Sequence, residues 1–218
     1  MDQVAFERAV RELAARDVDL ARLVEDHGIP PLWLRPAGFP SLVLFILEQQ
    51  VSLASAAAAY QKVLSRVDEM TPAALLATTP EQLRADGVSR QKDRYLRALA
   101  EAVLGGELDL AGLGSLNDAV VRQALTALPG IGPWTADVYL LACLGRGDLW
   151  PVGDRALQVA AGEALGLETV PTPVELTAIG ERWRPHRSSA ARLLWHGYLT
   201  RRGRVETPHD LLGPPARG

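Results

Sequence analysis

The sequence has one cysteine and two lysines among its 218 residues. Because Cys143 stands alone, a disulfide within the chain is excluded, and so is a zinc or iron–sulfur site built on several thiolates. No run reaches about 18 consecutive apolar residues, so a membrane-spanning helix is not expected. The N-terminal residues do not combine a basic start with an apolar run, as a signal peptide does. These absences predict a protein of the reducing cytoplasm.

The sequence also lacks an excess of basic residues. Its net charge is −3, which argues against a nucleic-acid partner because phosphate binding rewards Lys and Arg. The charge is unevenly distributed, however: residues 1–30 carry seven acids and four arginines, whereas residues 182–205 carry seven arginines and no acid. The second segment is therefore either a basic patch that could bind a polyanion or a solvated helix face.

The apolar residues recur at helical spacing, and no run alternates convincingly at period two. This pattern predicts an all-α fold of about ten helices. Residues 41–67 are apolar on all sides, which predicts one long, central, buried helix. Three Thr-Pro pairs and Ser89 are in the positions of helix N-caps, and the tail 213–218 is expected to be disordered. The other expected helices cover residues 4–15, 18–27, 90–104, 117–127, 134–144, 154–165, 173–183 and 188–202.

Residues 117–144 contain a tight turn, PGIGP, between two predicted helices, which makes a helix–hairpin–helix. Gly130 and Gly132 permit close backbone approach, so the N–H groups of the turn and of the next helix, up to Thr135, can point outward. Such a helix N-terminus binds phosphate without reading base sequence; the alternative is a purely structural turn. The backbone could also ligate a monovalent cation through three carbonyls, those of Thr126, Leu128 and Ile131.

Two successive motifs, LPGIGPWTAD and DLWPVGD, resemble the helix–hairpin–helix (HhH-GPD) superfamily of base-excision-repair DNA glycosylases. Three further stretches are similar to the 3-methyladenine DNA glycosylase II branch of that superfamily: residues 46–52, 87–100 and 183–195. The resemblance implies two helical lobes around a cleft. Residues 1–218 would form a single glycosylase unit, with 42–128 as the middle lobe. Residues 1–41 and 129–218, including the hairpin 128–136, would form the other lobe.

Asp154 ends the second motif at the position that matches the catalytic aspartate of the family. Cleavage of an N-glycosidic bond develops positive charge on the deoxyribose, which a carboxylate stabilises while it orients or deprotonates a water. From the residues alone an N-cap is equally expected, because Gly153-Asp154 precedes a helical segment.

Trp134 stands where lyase-competent relatives carry the lysine that forms a Schiff base. The two lysines of this chain, Lys62 and Lys92, are not on the hairpin. A Schiff-base lyase needs a desolvated amine at the sugar. The resemblance therefore implies a monofunctional glycosylase.

Trp134 and Trp195 match aromatic base-pocket positions of the alkylpurine branch. A methylated purine such as 3-methyladenine is cationic, so an indole face attracts it by cation–π interaction and stacking. Val138 departs from the pattern, since some relatives have an aromatic residue there. Core packing is the alternative for any tryptophan, and Trp183 is expected to be core. Two further aromatic residues could line the same cavity: Tyr139 and Trp150.

Gln50 follows Gln49 within an apolar segment, where buried amides need hydrogen-bond partners. By resemblance Gln50 would be the wedge that fills the duplex when a nucleotide is flipped out; a helix kink or a buried amide network is the alternative. Arg187 and Arg192 are candidate phosphate contacts.

The resemblance as a whole implies a monomeric enzyme without a redox or organic cofactor. Its partner would be double-stranded DNA with an alkylated base. Two alternatives remain open at this point. One is a glycosylase of the same fold for uracil or hypoxanthine, and the other is a non-catalytic protein that uses the hairpin only to bind DNA.

Overall fold

The computed structural model describes residues 1–204, and within them every regular element is helical, which confirms the all-α class. Residues 1–204 form twelve α-helices and one short 3-10 helix, rather than about ten helices. No helix of the described residues is long and apolar enough to cross a membrane. The tail 213–218 lies outside the described residues. The α-helices are α1 Gln3–Arg16, α2 Val18–His27, α3 Phe39–Glu48, α4 Leu53–Val67, α5 Pro72–Leu76, α6 Pro80–Ala85, α7 Arg90–Leu104, α8 Asp118–Thr126, α9 Pro133–Ala142, α10 Arg155–Ala164, α11 Pro173–Glu181 and α12 Arg187–Thr200.

Most of these helices begin at a residue whose side chain accepts a backbone N–H of the first turn. The three Thr-Pro pairs behave as predicted, and at two of them the third helical residue returns a bond to the cap and completes a capping box. Helices α3, α9 and α12 are the described exceptions, because no side chain caps them. The capping residues are Asp2, Asp17, Ser52, Thr71, Thr79, Ser89, Asn117, Asp154 and Thr172.

The prediction of one long helix over residues 41–67 is wrong. The segment breaks after α3, where Gln50 adopts a φ of 57°, outside the helical region. Ser52 then caps α4 by accepting the N–H of Ser55 at 3.2 Å. The expected burial holds for α3, whose residues from Phe39 to Leu47 are almost all buried, whereas α4 exposes one face and is amphipathic.

The described chain divides into two compact units, residues 1–34 with 145–204 and residues 35–144. In the first unit, α12 packs against α1, α2 and α10, and α10 also contacts α2 and α11. In the second unit, α7 packs against α3, α5 and α6, while α9 packs against α8 and α3. The hairpin therefore lies in the unit of residues 35–144, whereas the expected lobes placed it with the chain ends. The physical reason is that both neighbours of α9 belong to the middle of the chain.

Candidate functional site

The hairpin turn connects α8 to α9, and its two glycines differ in backbone conformation and surroundings. Gly130 has a φ of +84°, and a Cβ atom there would overlap the ring of Tyr95. Gly132 is the N-cap of α9 with an ordinary φ of −89°, and Pro133 is the first helical residue. Unlike most of the other helices, α9 has no side-chain N-cap among residues 1–204. This N-terminus has the features of an anion-binding site.

An ion pair holds the two helices of the hairpin together. The Asp137 carboxylate on α9 accepts from Arg122 Nε on α8 at 2.8 Å and lies 2.6 Å from an Arg122 terminal nitrogen. The Asp137 side chain is only 14% exposed, so solvent screens this contact less than it screens a surface pair. The pair keeps the turn between the helices in a defined geometry.

A cavity of about 810 Å³ opens beside the hairpin, within the unit of residues 35–144. Three parts of the chain line it: the hairpin turn with Trp134, the residues that follow α3, and the first turns of α7. Trp134 is half-buried, and Gln50 is exposed. The fold thus brings the predicted base-stacking ring, the predicted wedge and the glycine turn to one cavity.

Gln49 links the wedge segment to the hairpin. Its side-chain amide nitrogen donates to the carbonyl of Gly130 at 2.8 Å and lies 3.4 Å from the hydroxyl of Thr135. Thr135 is buried, with 2% of the residue exposed, and its hydroxyl faces Gln49. The alternative of a buried amide network therefore holds for Gln49, while Gln50 lies at the exposed tip of the turn.

Lys92 also lines this cavity, although sequence reasoning gave it no role. Its ammonium group donates to the carbonyl of Leu47, near the end of α3, at 2.6 Å. Burial lowers the pKa of Lys92 below the usual lysine value. The sequence predicts the helix start at Ser89, but it does not predict the packing of α7 against α3 that brings Lys92 to the cavity.

Asp154 is the N-cap of α10, in the unit formed by the chain ends. Its Oδ1 accepts the N–H of Leu157 at 2.7 Å and lies 3.2 Å from the indole nitrogen of Trp195, which donates to it. Both side chains are half-buried. The capping interpretation is confirmed, and the same carboxylate oxygen contacts one of the two tryptophans that the resemblance assigns to the base.

The structure contradicts the expectation that Tyr139 lines the base pocket. Tyr139 is fully buried in the core around α9, and its hydroxyl oxygen accepts the N–H of Gly38 at 3.0 Å. Burial raises the pKa of this phenol well above its usual value. The Tyr139 ring is therefore part of the hydrophobic core and does not line the base pocket.

Trp150 is also a core residue rather than a pocket residue, and is 7% exposed. Its indole nitrogen donates to the carbonyl of Leu176 at 2.8 Å, and its ring meets Trp183 edge-on with centroids 5.1 Å apart. The prediction for Trp183 is confirmed: it is fully buried, and its indole nitrogen donates to Asp17 at 2.8 Å.

Arg192, one of the two predicted phosphate contacts, is buried, with 1% of its surface exposed. It donates to the carbonyl of Trp33 at 2.9 Å, and its guanidinium carbon lies 4.4 Å from the centre of the Trp33 ring. The phosphate role is therefore wrong for Arg192. Arg187 is 15% exposed and contacts both carboxylate oxygens of Asp148 at 2.8 and 3.0 Å, so its charge is already neutralised.

The rest of the arginine-rich segment is largely neutralised in the same way. Acids that are distant in the sequence pair with it, and hydrogen bonding from Arg202, with a smaller contribution from Arg201, lowers the pKa of Glu163. Arg204 is exposed and has no acid partner within residues 1–204. The segment is a salt-bridged surface rather than a free basic patch. The ion pairs are Arg182 with Asp17 and Asp19, Arg184 with Asp148 and Glu181, and Arg201 and Arg202 with Glu163.

Comparison with protein families gives a match to the HhH-GPD superfamily of base excision DNA repair proteins over residues 43–185. This match covers well over half of the chain and includes the hairpin and Asp154. The chain belongs to the HhH-GPD superfamily.

Relatives of this HhH-GPD chain extend along most of its length. The alkylbase DNA glycosidase-like protein mag2 of Schizosaccharomyces pombe is 27% identical over 197 residues, which span 87% of this chain and 92% of that protein. DNA-3-methyladenine glycosylase 2 of Escherichia coli is 33% identical over 171 residues, 72% of this chain and 57% of that protein.

Solved structures agree with the fold of this HhH-GPD chain. DNA-3-methyladenine glycosidase of Bacillus halodurans superimposes with a TM-score of 0.78 and 34% identity over 94% of this chain and 95% of that one. The 3-methyladenine DNA glycosylase of Schizosaccharomyces pombe in complex with abasic DNA has a TM-score of 0.80 and 26% identity over 86% of this chain and 95% of that one.

Proposed function

We propose that this protein is a DNA glycosylase that removes alkylated purines of the 3-methyladenine type from duplex DNA by hydrolysis, acting as a monomer. The observation that supports it best is the 3.2 Å contact between the Asp154 carboxylate and the indole of Trp195. An acid suited to the sugar and an aromatic ring suited to the base are thereby held together. The names of the relatives point to the same substrate class.

The proposed reaction depends on Asp154. As the N-glycosidic bond breaks, the deoxyribose acquires oxocarbenium character, and a nearby carboxylate stabilises that positive charge. The same carboxylate orients or deprotonates the water that attacks C1′. A 3-methyladenine base is cationic in DNA and leaves as a neutral molecule, so no general acid is required to protonate it.

Trp134 and Trp195 would hold the flipped base. An indole face attracts a cationic purine through its quadrupole and stacks on the ring, together worth on the order of 1–3 kcal/mol. Neutral purines gain the stacking part alone. This difference favours alkylated bases over undamaged ones.

The hairpin would grip the DNA backbone through N–H groups at Gly130, Gly132 and Thr135, because backbone donors bind phosphate regardless of base sequence. We also propose that the turn carbonyls of Thr126, Leu128 and Ile131 bind a monovalent cation. The Leu128 carbonyl accepts the N–H of Ile131 at 3.2 Å, and a carbonyl oxygen has a second lone pair for a cation.

The direct test is base release from duplexes that each contain 3-methyladenine, 7-methylguanine, hypoxanthine or uracil. We expect free 3-methyladenine to be released fastest, because its cationic ring suits both indoles and its departure needs no acid. Release of uracil or hypoxanthine alone would show that the substrate is one of those lesions and not an alkylated base. DNA binding without release of any base would reduce the protein to a binding module.

The same incubation tests monofunctional chemistry. Because Trp134 stands at the position of the Schiff-base lysine, we expect abasic product without strand cleavage and no covalent complex after borohydride treatment. If a complex is trapped, the proposal of a monofunctional enzyme fails. The variant Lys92→Met would then show whether Lys92 forms that complex, since Lys92 is the lysine that lines the cavity. In the free protein its Nζ donates to the Leu47 carbonyl.

Gln50 is the proposed wedge, and Gln50→Gly tests this role by removing its side chain. Glycine adopts the φ of 57° found at this position without strain, so the thermal stability should not fall. Without a side chain to fill the gap, we expect base release to slow by roughly 10-fold to 100-fold. Fluorescence of 2-aminopurine placed beside the lesion reports flipping, and a wild-type signal from the variant would contradict the wedge role.

A further inference from the structure

The start of α7 carries two cations that no acid of residues 1–204 neutralises. Arg90 and Arg94 are both exposed, and neither has an ion pair or hydrogen bond with any residue in the range 1–204. Arg97 on the same helix differs, because it pairs with Asp93 at 2.8 Å. The arginines of the segment 182–202 differ as well, because they form ion pairs with acids or are buried.

Arg90 and Arg94 are four residues apart, so they lie one above the other on one side of the helix. The neighbouring row consists of Gln91 and Tyr95, which are joined by a 2.6 Å hydrogen bond from the Gln91 amide to the Tyr95 hydroxyl. Successive residues are offset by about 100° around a helix of 3.6 residues per turn. The two arginines therefore form a stripe directly beside the Gln91–Tyr95 row.

The Gln91–Tyr95 row connects this stripe to the hairpin. Gln91 and Tyr95 line the same cavity as Gly130 and Trp134, and the Tyr95 ring fills the space that a side chain at position 130 would occupy. The Gln91–Tyr95 row therefore borders the hairpin cavity on one side and the arginine stripe on the other. A duplex bound through the hairpin and extending across α7 would bring its charged backbone beside an exposed pair of cations.

We infer that Arg90 and Arg94 contact phosphates of the duplex that the hairpin holds, and form a second backbone-binding element. This inference rests on the proposed function, because the DNA is the substrate of that function. Arginine suits the task since its planar guanidinium binds phosphate oxygens in pairs and stays charged. Such contacts fix the orientation of the duplex and do not select the damaged base. The stripe also explains how a chain of net charge −3 can bind a polyanion.

The test compares two double variants that each remove two exposed positive charges. Arg90→Gln/Arg94→Gln removes the stripe, and glutamine preserves helix propensity. Arg8→Gln/Arg22→Gln is the control on α1 and α2, where both arginines are exposed as well; Arg22 has one long contact, 3.8 Å to Asp19. The dissociation constant for an undamaged duplex is measured from 50 to about 200 mM salt.

We expect the stripe variant to bind damaged and undamaged duplexes more weakly by a similar factor, with a salt dependence shallower by about 2 in the double-logarithmic slope. Base release at saturating enzyme should stay within about twofold of wild type, since phosphate contacts do not touch the reacting bond. The control variant should keep nearly the wild-type slope.

An unchanged slope for the stripe variant, or an equal change in both variants, would overturn the inference. Either result leaves base release by the wild-type protein intact, so it does not touch the proposed function. Conversely, absence of base release from all four lesion duplexes by the wild type would defeat the proposed function and not the phosphate contacts, which are measured on undamaged DNA.

Discussion

Asp154→Asn is expected to slow release of 3-methyladenine by about 10²–10³-fold, the usual loss when one preorganised electrostatic contact to a transition state is removed. Asparagine is nearly isosteric and is as good an N-cap as aspartate. Its side-chain oxygen can still accept the N–H groups of Leu157 and Trp195 that meet Asp154 Oδ1. The charge is therefore the main property that changes. Single-turnover release with saturating enzyme measures the loss.

Asp154→Ala provides the comparison that separates capping from catalysis. Loss of the cap should lower the free energy of unfolding by about 1 kcal/mol, whereas Asp154→Asn should leave it nearly unchanged. Both variants should lose base release to a similar extent. If Asp154→Asn releases the base at the wild-type rate, Asp154 is an N-cap alone and the catalytic proposal is refuted.

Gly130→Ala is expected to lower the free energy of unfolding by about 2–4 kcal/mol. Part of this loss comes from placing an L-residue at a φ of +84°, in the left-handed region. The rest comes from the overlap of the new Cβ with the Tyr95 ring. For a chain of this size the melting temperature should fall by roughly 5–15 °C, and DNA binding should fall with it because the hairpin turn must shift.

Gly132→Ala is the matched control for the stability measurement. Gly132 has a φ of −89°, which any residue adopts, and no atom lies within 4 Å of the Cβ position there. The melting temperature of this variant should stay close to wild type, although alanine is a somewhat poorer N-cap than glycine. Equal losses from both alanine variants would show that the left-handed conformation and the Tyr95 contact do not determine the hairpin geometry.

Local signals allowed much of the fold to be predicted. The Thr-Pro pairs at 71, 79 and 172 place helix starts correctly, because a cap and a fixed proline φ act over only a few residues. The break after α3 was missed although Ser52 is a cap residue. Apolar residues continue on both sides of Gln49 and Gln50, so hydrophobic periodicity alone cannot locate the turn.

Aromatic residues near the motifs were harder to assign. Tyr139 and Trp150 lie close in sequence to Trp134 and Asp154, yet both are buried in cores. The side of a helix that faces the core depends on its packing partners, and those partners lie elsewhere in the chain. Lys92 illustrates the converse, since packing of α7 against α3 brings it to the cavity and to the Leu47 carbonyl.

The sequence by itself determined the helical class, most of the helix starts, the glycine turn and the motif that contains Asp154, because each depends on residues close together in the chain. Only the tertiary structure decided which cations remain available. Asp17, Asp19 and Glu163 neutralise arginines of the 182–202 segment, while Arg90 and Arg94 meet no acid in the described part of the chain. Ion pairs and burial join residues that are far apart in sequence, so charge counted along the chain does not locate the charged surface.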